Sequence, residues 1–265
     1  MPIRWLGWAG IEIAAHGQRV VIDPLADPLA VFAWLGGRVH AVPLPDVVVP
    51  QPGAVAGLLT HLHRDHADAD ALAAALATGK SVYEPLDYGG QGVERLALLQ
   101  ADQELAAGEL ARQPTGAWTS ITAGPFTLTA LPAVDGTGDP QVSWLIEADG
   151  ERVLHLGGTV WHGWWWRIPE RYGAPDVLLA PINGPRVNFP HRQPASHLPA
   201  AMEPEQAALA AQLLRADRPV PIHYGGYELP GVYEPVVDPL ERLAAASDRA
   251  TPMKPGETVR RWSPV

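Results

Sequence analysis

The sequence predicts an α/β sandwich, a single domain spanning residues 1–265 with a polar site along one sheet edge. Three observations support this prediction. Short apolar runs alternate with turn signals, two Ala/Leu-rich segments have the character of helices, and His or Asp residues follow several of the apolar runs. Such alternation is typical of helices packed on sheets, and ligand-type residues at strand ends favour a site at that edge.

The strands are predicted from apolar runs that end in turn signals. His16-Gly17-Gln18 separates the first two runs as a hairpin turn, and Asp149-Gly150 separates two later ones in the same way. Residues 24–53 are rich in Pro and are predicted to be a long, partly irregular connection that shapes a pocket rim. In chain order, the predicted strands are Ile11–Ala14, Arg19–Ile22, Ala54–Thr60, Lys80–Tyr83, Phe126–Pro132, Val142–Ala148, Arg152–Leu156, Asp176–Ala180 and Val220–His223.

Two helices are predicted from their capping residues. In ADADALAAALATG, Asp68 is a suitable N-cap and Gly79 a suitable stop. Glu203-Pro204-Glu205 begins a second helix that runs to about Arg215, because proline and acidic residues suit the first turn of a helix.

Composition excludes several classes of function. The chain has no Cys, so any metal must be held by His and carboxylates. A formal net charge of −10 without a basic run disfavours a nucleic-acid partner. No run of 18 apolar residues and no signal-peptide pattern is present, which predicts a cytoplasmic protein without a membrane span. A Gly-rich phosphate loop and a Gly-x-Ser-x-Gly elbow are also absent from the sequence.

The stretch THLHRDHADA, residues 60–69, holds the densest set of potential metal ligands. Alternation places His61 and His63 on the same side of an extended segment. Asp65 and His66 lie where the chain turns into the first helix, so they can point toward the same space. A zinc ion needs three or four N or O ligands, and this loop can supply one ion or two neighbours. The alternative, a solvated His-rich helix entry, is disfavoured because this spacing follows a buried strand.

The run His61-Leu62-His63-Arg64-Asp65-His66 matches the His-x-His-x-Asp-His motif of the metallo-β-lactamase superfamily. WLGWAGIEI…VVIDP near the start, and PEQAALAAQLL with VPIHYG near the end, resemble one branch of it. That branch includes bacterial ascorbate-phosphate lactonases and N-acylphosphatidylethanolamine phospholipase D. The resemblance covers residues 3–262 and implies a four-layer αββα sandwich with metal between the inner edges of the two sheets.

The resemblance also implies ligands for two metal positions. His61 and His63 correspond to the first position, and Asp65, His66 and His223 to the second. In the family's hydrolytic scheme the metal lowers the pKa of its water to about 7, and the residue at the Asp65 position also orients that water. Zn²⁺ is the expected cofactor, with Mn²⁺, Fe or Ni²⁺ accepted by the same mixture of ligands.

Two positions depart from the family pattern. The third histidine of the first metal position is replaced by Asp135, which can ligate zinc or can be a turn residue in Asp135-Gly136. Gly158 stands where the family has the aspartate that bridges both metals. Two nearby histidines, His155 and His162, either compensate as ligands or are structural.

Loss of the bridging carboxylate leaves two dications less screened from each other, which favours one bound metal over two. That metal is held either by His61, His63 and Asp135 or by the second group of ligands. The residues alone leave both arrangements open, as they do the oligomeric state.

Substrate-binding residues are predicted around this site. HGWWWR, residues 162–167, follows Trp161, and an aromatic wall that includes Trp161 and Trp164 is one interpretation. Packing of this loop on the sheets is the other. Asn183 and Tyr224 are further candidates for contact with substrate. Arg186 or Arg192 either binds an anionic group or forms exposed salt bridges.

The function predicted first is a metal-dependent hydrolase of a small ester, lactone or phosphodiester. One alternative is a non-hydrolytic enzyme that uses a single metal as a Lewis acid in an isomerase, lyase or cyclase reaction. The other is a non-catalytic member of the fold, which the five retained ligand-type residues disfavour.

Overall fold

The structure, a computed structural model, describes residues 1–29 and 46–259. Its strands, in chain order, are β1 (Ile3–Gly7), β2 (Gly10–Ala15), β3 (Gln18–Ile22), β4 (Ala56–Leu58), β5 (Ser81–Pro85), β6 (Ala111–Thr115), β7 (Ser120–Ala123), β8 (Phe126–Pro132), β9 (Val142–Ala148), β10 (Glu151–His155), β11 (Val177–Pro181), β12 (Arg186–Val187), β13 (Arg218–Ile222), β14 (Tyr233–Glu234) and β15 (Thr258–Val259). Its helices are α1 (Ala69–Ala75), α2 (Leu96–Ala107), α3 (Arg167–Tyr172), α4 (Pro204–Leu214) and α5 (Pro239–Ala246), and the 3₁₀ turn Gly92–Arg95 precedes α2.

The strands form two large sheets and one small ribbon. One sheet has the order β15-β1-β2-β3-β4-β5-β6, and the other has the order β13-β11-β10-β9-β8-β7. β12 and β14 pair separately as an antiparallel ribbon. Within each large sheet, antiparallel hairpins at one side join parallel strands at the other, as between β3 and β4 or between β10 and β11.

Three apolar cores show that these elements stack in four layers. The central core joins side chains of both sheets, for example Ile13 and Ile22 with Trp144 and Ile146. A second core packs Leu72 of α1 and residues of α2 on the outer face of the first sheet. A third core packs α3, α4 and α5 on the outer face of the second sheet. The predicted αββα sandwich is therefore confirmed.

Several local predictions agree with the structure. The hairpin around His16-Gly17 joins β2 to β3, and the turn at Asp149-Gly150 joins β9 to β10. Helix α4 begins after Glu203, which forms a capping box with Gln206, and ends before Arg215 in a left-handed conformation. Most of the connection predicted at 24–53 lies outside the described residues.

The predicted end of the first helix was wrong. Asp68 caps α1 as expected, but the helix ends at Ala75 rather than at Gly79. The reason is a competing backbone pairing: Ala54 N–H donates to Ala75 O, and Ala77 N–H donates to Ala54 O. These bonds draw the chain after Ala75 into an extended conformation beside β4, which itself is shorter than predicted.

The ends of the parallel strands bring distant segments to one edge of the sandwich. β3 and β4 run parallel with Ile22 opposite Leu58, so the residues that follow them are neighbours. β10, β11 and β13 are also parallel, and their following loops open on one edge. A bridge between His61 and Gln141 joins the two sheets there. Ligand-type residues that are far apart in sequence therefore meet at this edge.

Candidate metal centre

Six of the predicted site residues lie together at this edge in two groups. His61, His63 and Asp135 form one group, and the other consists of Asp65, His66 and His223. Within each group, one nitrogen or oxygen of every residue lies within 4.8 Å of the others. Such convergence of three N and O donors is suited to a metal ion.

The histidines of the second group each have one ring nitrogen occupied. His66 Nδ1 donates to Asp23 Oδ2 at 2.7 Å, and His223 Nδ1 donates to Asn183 Oδ1 at 2.9 Å. The opposite nitrogens, Nε2 of each ring, lie 3.0 Å apart. With both Nδ1 atoms protonated, the two Nε2 lone pairs face each other, and only a proton or a cation between them makes this contact favourable.

The histidines of the first group are held in the same way. The Thr60 hydroxyl donates its proton to Asp23 Oδ2 at 2.5 Å. Its oxygen is therefore an acceptor for His61 Nδ1, which lies 3.0 Å away. His63 Nε2 donates to Asp139 Oδ2 at 2.9 Å. Its Nδ1 lies 3.9 Å from Asp135 Oδ1. One nitrogen of each ring is thus left for the space between the groups.

The pKa values of the histidines at the site are shifted in opposite directions. Burial lowers the pKa of His63, but the carboxylates of Asp135 and Asp139 outweigh it and raise the pKa to about 9. Burial and the neighbouring His66 lower the pKa of His223 to about 3. Burial also opposes ionisation of Asp65, yet nearby histidines hold its pKa below the usual value. The side chains of the site thus favour protons on some histidines, such as His63 and His66, while Asp65 stays ionised.

These contacts fit a divalent metal. In metal sites the non-ligating ring nitrogen of histidine usually donates to a carboxylate or carbonyl, which fixes the tautomer and strengthens the ligand. Asp23, Asp139 and Asn183 provide such acceptors here, and Thr60 provides a hydroxyl. The donor set of imidazoles and carboxylates suits zinc and also Mn²⁺, Fe and Ni²⁺.

Gly158 faces the centre of the two groups. A Cβ placed on it would lie 3.5 Å from His223 Nε2, 3.5 Å from His61 Cε1 and 3.8 Å from His66 Nε2. These are ordinary contact distances, and Gly158 is not among the glycines with positive φ. The position thus accepts a side chain sterically, and any side chain there would point at ligand atoms of both groups.

Five of the six residues of the two groups, all except His66, line a cleft with an apolar wall. Tyr233 of the β12–β14 ribbon also lines it, and its hydroxyl accepts from Asn183 Nδ2 at 2.7 Å. The ring of Phe189 stacks on His191 at 5.6 Å. The apolar part of the lining consists of Ala97, Pro185, Val187, Phe189, Ala200 and Ala201.

The sequence model of the β-lactamase superfamily domain matches residues 18–224, more than half of the chain. The chain belongs to the metallo-β-lactamase superfamily. It is 32% identical over 267 residues to a metal-dependent hydrolase of Rubrobacter xylanophilus, covering 96% of this chain and 94% of the relative. A metal-dependent hydrolase of Thermococcus onnurineus is 27% identical over 266 residues, covering 97% and 98%.

Among solved structures, the metallo hydrolase Igni18 of Ignicoccus hospitalis is similar in fold, with a TM-score of 0.64 and 21% identity. The match covers 97% of each chain. The relatives' names agree with the metal-dependent hydrolase predicted from the sequence. The branch of the superfamily suggested by the sequence resemblance stays a prediction. No helix in residues 1–29 and 46–259 is long and apolar enough to cross a membrane.

Two histidines, His155 and His162, were candidates either for compensating ligands or for structural residues in this superfamily member, and both lie outside the two ligand groups. His155 Nε2 donates to Ala9 O at 2.8 Å, and its Nδ1 accepts from Gly157 N–H at 3.2 Å, so neither nitrogen is left for a metal. His162 stacks on Trp165 at 3.8 Å, and its Nδ1 accepts from the Trp164 N–H. Neither histidine belongs to the two ligand groups or to the cleft lining.

Of the two interpretations of the tryptophan loop, an aromatic wall at the site or packing on the sheets, the contacts agree with packing. Trp161 packs on Trp165 in the outer helical layer, and Trp164 packs edge-on against Trp118, away from the cleft. Tyr224 is half-buried and stacks on Trp5 at 5.4 Å against the central core, and it is not part of the cleft lining. Asn183 lies at the site, but as the hydrogen-bond partner of His223.

Three functional candidates were not predicted from the sequence. Asp23 is fully buried and accepts from Thr60 and His66, and its position after a strand parallel to β4 was the available signal. Asp139 binds His63 and also accepts from Arg192 Nη2 at 2.9 Å. The only signal for Asp139 in the sequence was that it is the second acidic residue of DGTGDP, residues 135–140. No local pattern marks Tyr233, because the ribbon pairing alone brings it to the cleft.

Proposed function

We propose that this chain is a metal-dependent hydrolase that cleaves a small ester, lactone or phosphodiester with an activated water. The observation that carries the proposal is the arrangement of four histidines around one space. Each has one ring nitrogen held by Asp23, Thr60, Asn183 or Asp139, and its other nitrogen is left for a metal. Small molecules suit the narrow cleft above them, and the central core shared by both sheets supports a single domain.

The proposed metal ligands are the two groups already described, with Zn²⁺ as the first candidate. One metal is proposed to dominate, because Gly158 offers no carboxylate between the groups. The bound metal would supply a water activated near neutral pH and would polarise the substrate.

Asp65 has the proposed catalytic role of orienting the attacking water and accepting its proton. Trp8 Nε1 donates to Asp65 Oδ2 at 3.0 Å, which holds the carboxylate in place. Its lowered pKa keeps it ionised, as a proton acceptor must be.

A second candidate is a non-hydrolytic enzyme that uses one metal as a Lewis acid. The observation that favours it is again Gly158, since a site without a bridging carboxylate differs from the pair of metals that the family resemblance implies. A metal-binding protein that leaves ester and phosphodiester probes intact would support this second function.

The test is elemental analysis of protein purified without added metal, together with hydrolysis of p-nitrophenyl butyrate and bis(p-nitrophenyl) phosphate. We expect about one equivalent of metal and hydrolysis that a chelator removes and added metal restores. Whichever group holds the single metal, its own variant should lower metal content and activity, His63→Ala for the first group and His66→Ala for the second. His16→Ala is the matched control, because that imidazole is 62% exposed and pairs with Asp149 far from the site. Absence of metal from the wild type, or full metal content in both site variants, would contradict the proposal.

A further inference from the structure

Tyr233 places a hydroxyl group in the cleft beside the metal-ligand groups. The ring lies on β14 and lines the same cleft as His223 and Asp65. Its oxygen accepts from Asn183 Nδ2 at 2.7 Å, and Asn183 Oδ1 in turn accepts from His223 Nδ1 at 2.9 Å. The hydroxyl oxygen is therefore fixed relative to His223 through one amide.

The proton of this hydroxyl is available to a ligand. In the described residues, the structure shows no acceptor for it, since the bond to Asn183 uses the oxygen as an acceptor. Burial and the charge of Asp65 raise the pKa of Tyr233 well above its usual value, so the hydroxyl stays protonated over the working pH range. The ring is held at 4.9 Å from that of Tyr227. A fixed donor with an unused proton in a cleft is suited to stabilise charge that develops on a substrate oxygen.

Among the described residues, the two arginines at the cleft are already paired. Arg64 forms a bidentate pair with Glu104 at 2.9 and 3.0 Å, and Arg192 donates to Asp139 at 2.9 Å. Burial lowers the pKa of His191, so this lining residue is neutral near pH 7. Beside the proposed metal, the cleft thus offers an anionic substrate only arginines that are already paired. An uncharged substrate would lose little hydration energy on entry and would bury its apolar part on Val187 and Phe189.

We propose that the substrate of the hydrolase is an uncharged carboxylic ester or lactone, and that Tyr233 is a catalytic residue that donates a hydrogen bond to its carbonyl oxygen. This inference rests on the proposed function. As the oxygen of water adds to the carbonyl carbon, the π electrons of the C=O bond move onto the oxygen beside Tyr233, and one proton of water passes to Asp65. When the C=O bond re-forms, the bond to the alcohol oxygen breaks and that oxygen takes the proton from Asp65. No oxidant or second substrate is required.

The experiment compares Tyr233→Phe with Tyr224→Phe in the metal-loaded protein. Both changes remove one phenolic oxygen and keep the ring, but Tyr224 stacks on Trp5 against the central core and does not line the cleft. The probes are p-nitrophenyl butyrate, which is neutral, and bis(p-nitrophenyl) phosphate, which is an anion. Kinetic constants, metal content and thermal unfolding are measured for each protein.

We expect the wild type to prefer the neutral ester in kcat/KM by at least tenfold. Tyr233→Phe should lower kcat by about 10²-fold, the scale of one lost oxyanion donor, with KM changed less than about threefold. Its metal content should stay at the wild-type value, and Tyr224→Phe should leave the kinetic constants unchanged.

The possible failures are distinguishable. An unchanged kcat in Tyr233→Phe would overturn the role of this residue. Loss of metal from that variant would show that Tyr233 acts only by positioning His223 through Asn183. Preference of the wild type for the phosphodiester would overturn the substrate class without needing any variant, and the proposed hydrolase would stand. A wild type that binds no metal or hydrolyses neither probe would instead contradict the proposed function itself.

Discussion

Replacing Gly158 by Asp tests whether a missing carboxylate limits the metal centre. The side chain would enter a space where its Cβ contacts His223 Nε2 and His61 Cε1 at 3.5 Å and His66 Nε2 at 3.8 Å. These distances allow it without displacing the backbone, and its carboxylate would lie between the two ligand groups.

The expected effect on metal affinity is large. A carboxylate about 4 Å from a divalent ion gains about 8 kcal/mol at an effective dielectric constant of about 20, twice the value for two unit charges. Desolvation of the new carboxylate offsets much of this gain. Even a third of it, about 2.7 kcal/mol, corresponds to roughly 100-fold tighter binding.

We therefore expect Gly158→Asp to raise the bound metal from about one equivalent to about two. Elemental analysis after dialysis against a weak chelator measures this, and isothermal titration of the metal-free protein measures the affinity of each ion. Gly158→Asn is the matched control, because it has nearly the same shape without the charge. If Gly158→Asp remained folded but bound no additional metal, the missing bridging carboxylate would not be what limits metal binding. The same would follow if Gly158→Asn bound as much additional metal as Gly158→Asp.

Two further predictions concern the groups that hold the histidines. Asp23→Ala should lower the free energy of unfolding by about 3 kcal/mol in urea titrations, since it leaves Thr60 and His66 without a buried acceptor. The exposed Asp217→Ala should change it by less than about 0.5 kcal/mol, and equal effects would contradict the reasoning. In the metal-free protein, the folded pKa of His63, about 9, lies above its unfolded value of about 6.5. The contribution of His63 to stability should be complete below pH 6.5 and lost as pH rises through 9. If the thermal unfolding temperature of His63→Gln depended on pH as strongly as that of the wild type, this prediction would be refuted.

The fold could be predicted because its signals are local. Apolar runs with period two and turns such as Asp149-Gly150 predict strands, and the boundaries of β8 and β9 agree with the structure. The end of α1 could not be predicted in this way. Gly79 is the usual helix stop, but the chain leaves the helix at Ala75 because pairing with Ala54 satisfies its backbone first. That partner lies more than twenty residues away in the sequence.

The dependence on local sequence signals also explains which site residues could be predicted. His61, His63, Asp65 and His66 follow one another in a single loop, so their spacing alone predicts that they share a space. The three tryptophans at 164–166 carry no such information, because neighbouring side chains in a turn point in different directions. Trp165 is therefore buried while the other two are exposed. Whether an aromatic residue faces the cleft or a helical layer depends on packing, and the same holds for Tyr224 and Tyr233.

The carboxylates that accept hydrogen bonds from the ligand histidines differ between the two groups. This difference affects where a single metal would bind. His63 of the first group donates to Asp139, whose charge is offset by Arg192 at 2.9 Å. His66 of the second group donates to Asp23, which otherwise accepts from the neutral Thr60. Each group has one carboxylate of its own, so the uncompensated charge of Asp23 gives the second group the more negative potential. We therefore propose that a single dication would bind at Asp65, His66 and His223, beside the amide that links His223 to Tyr233.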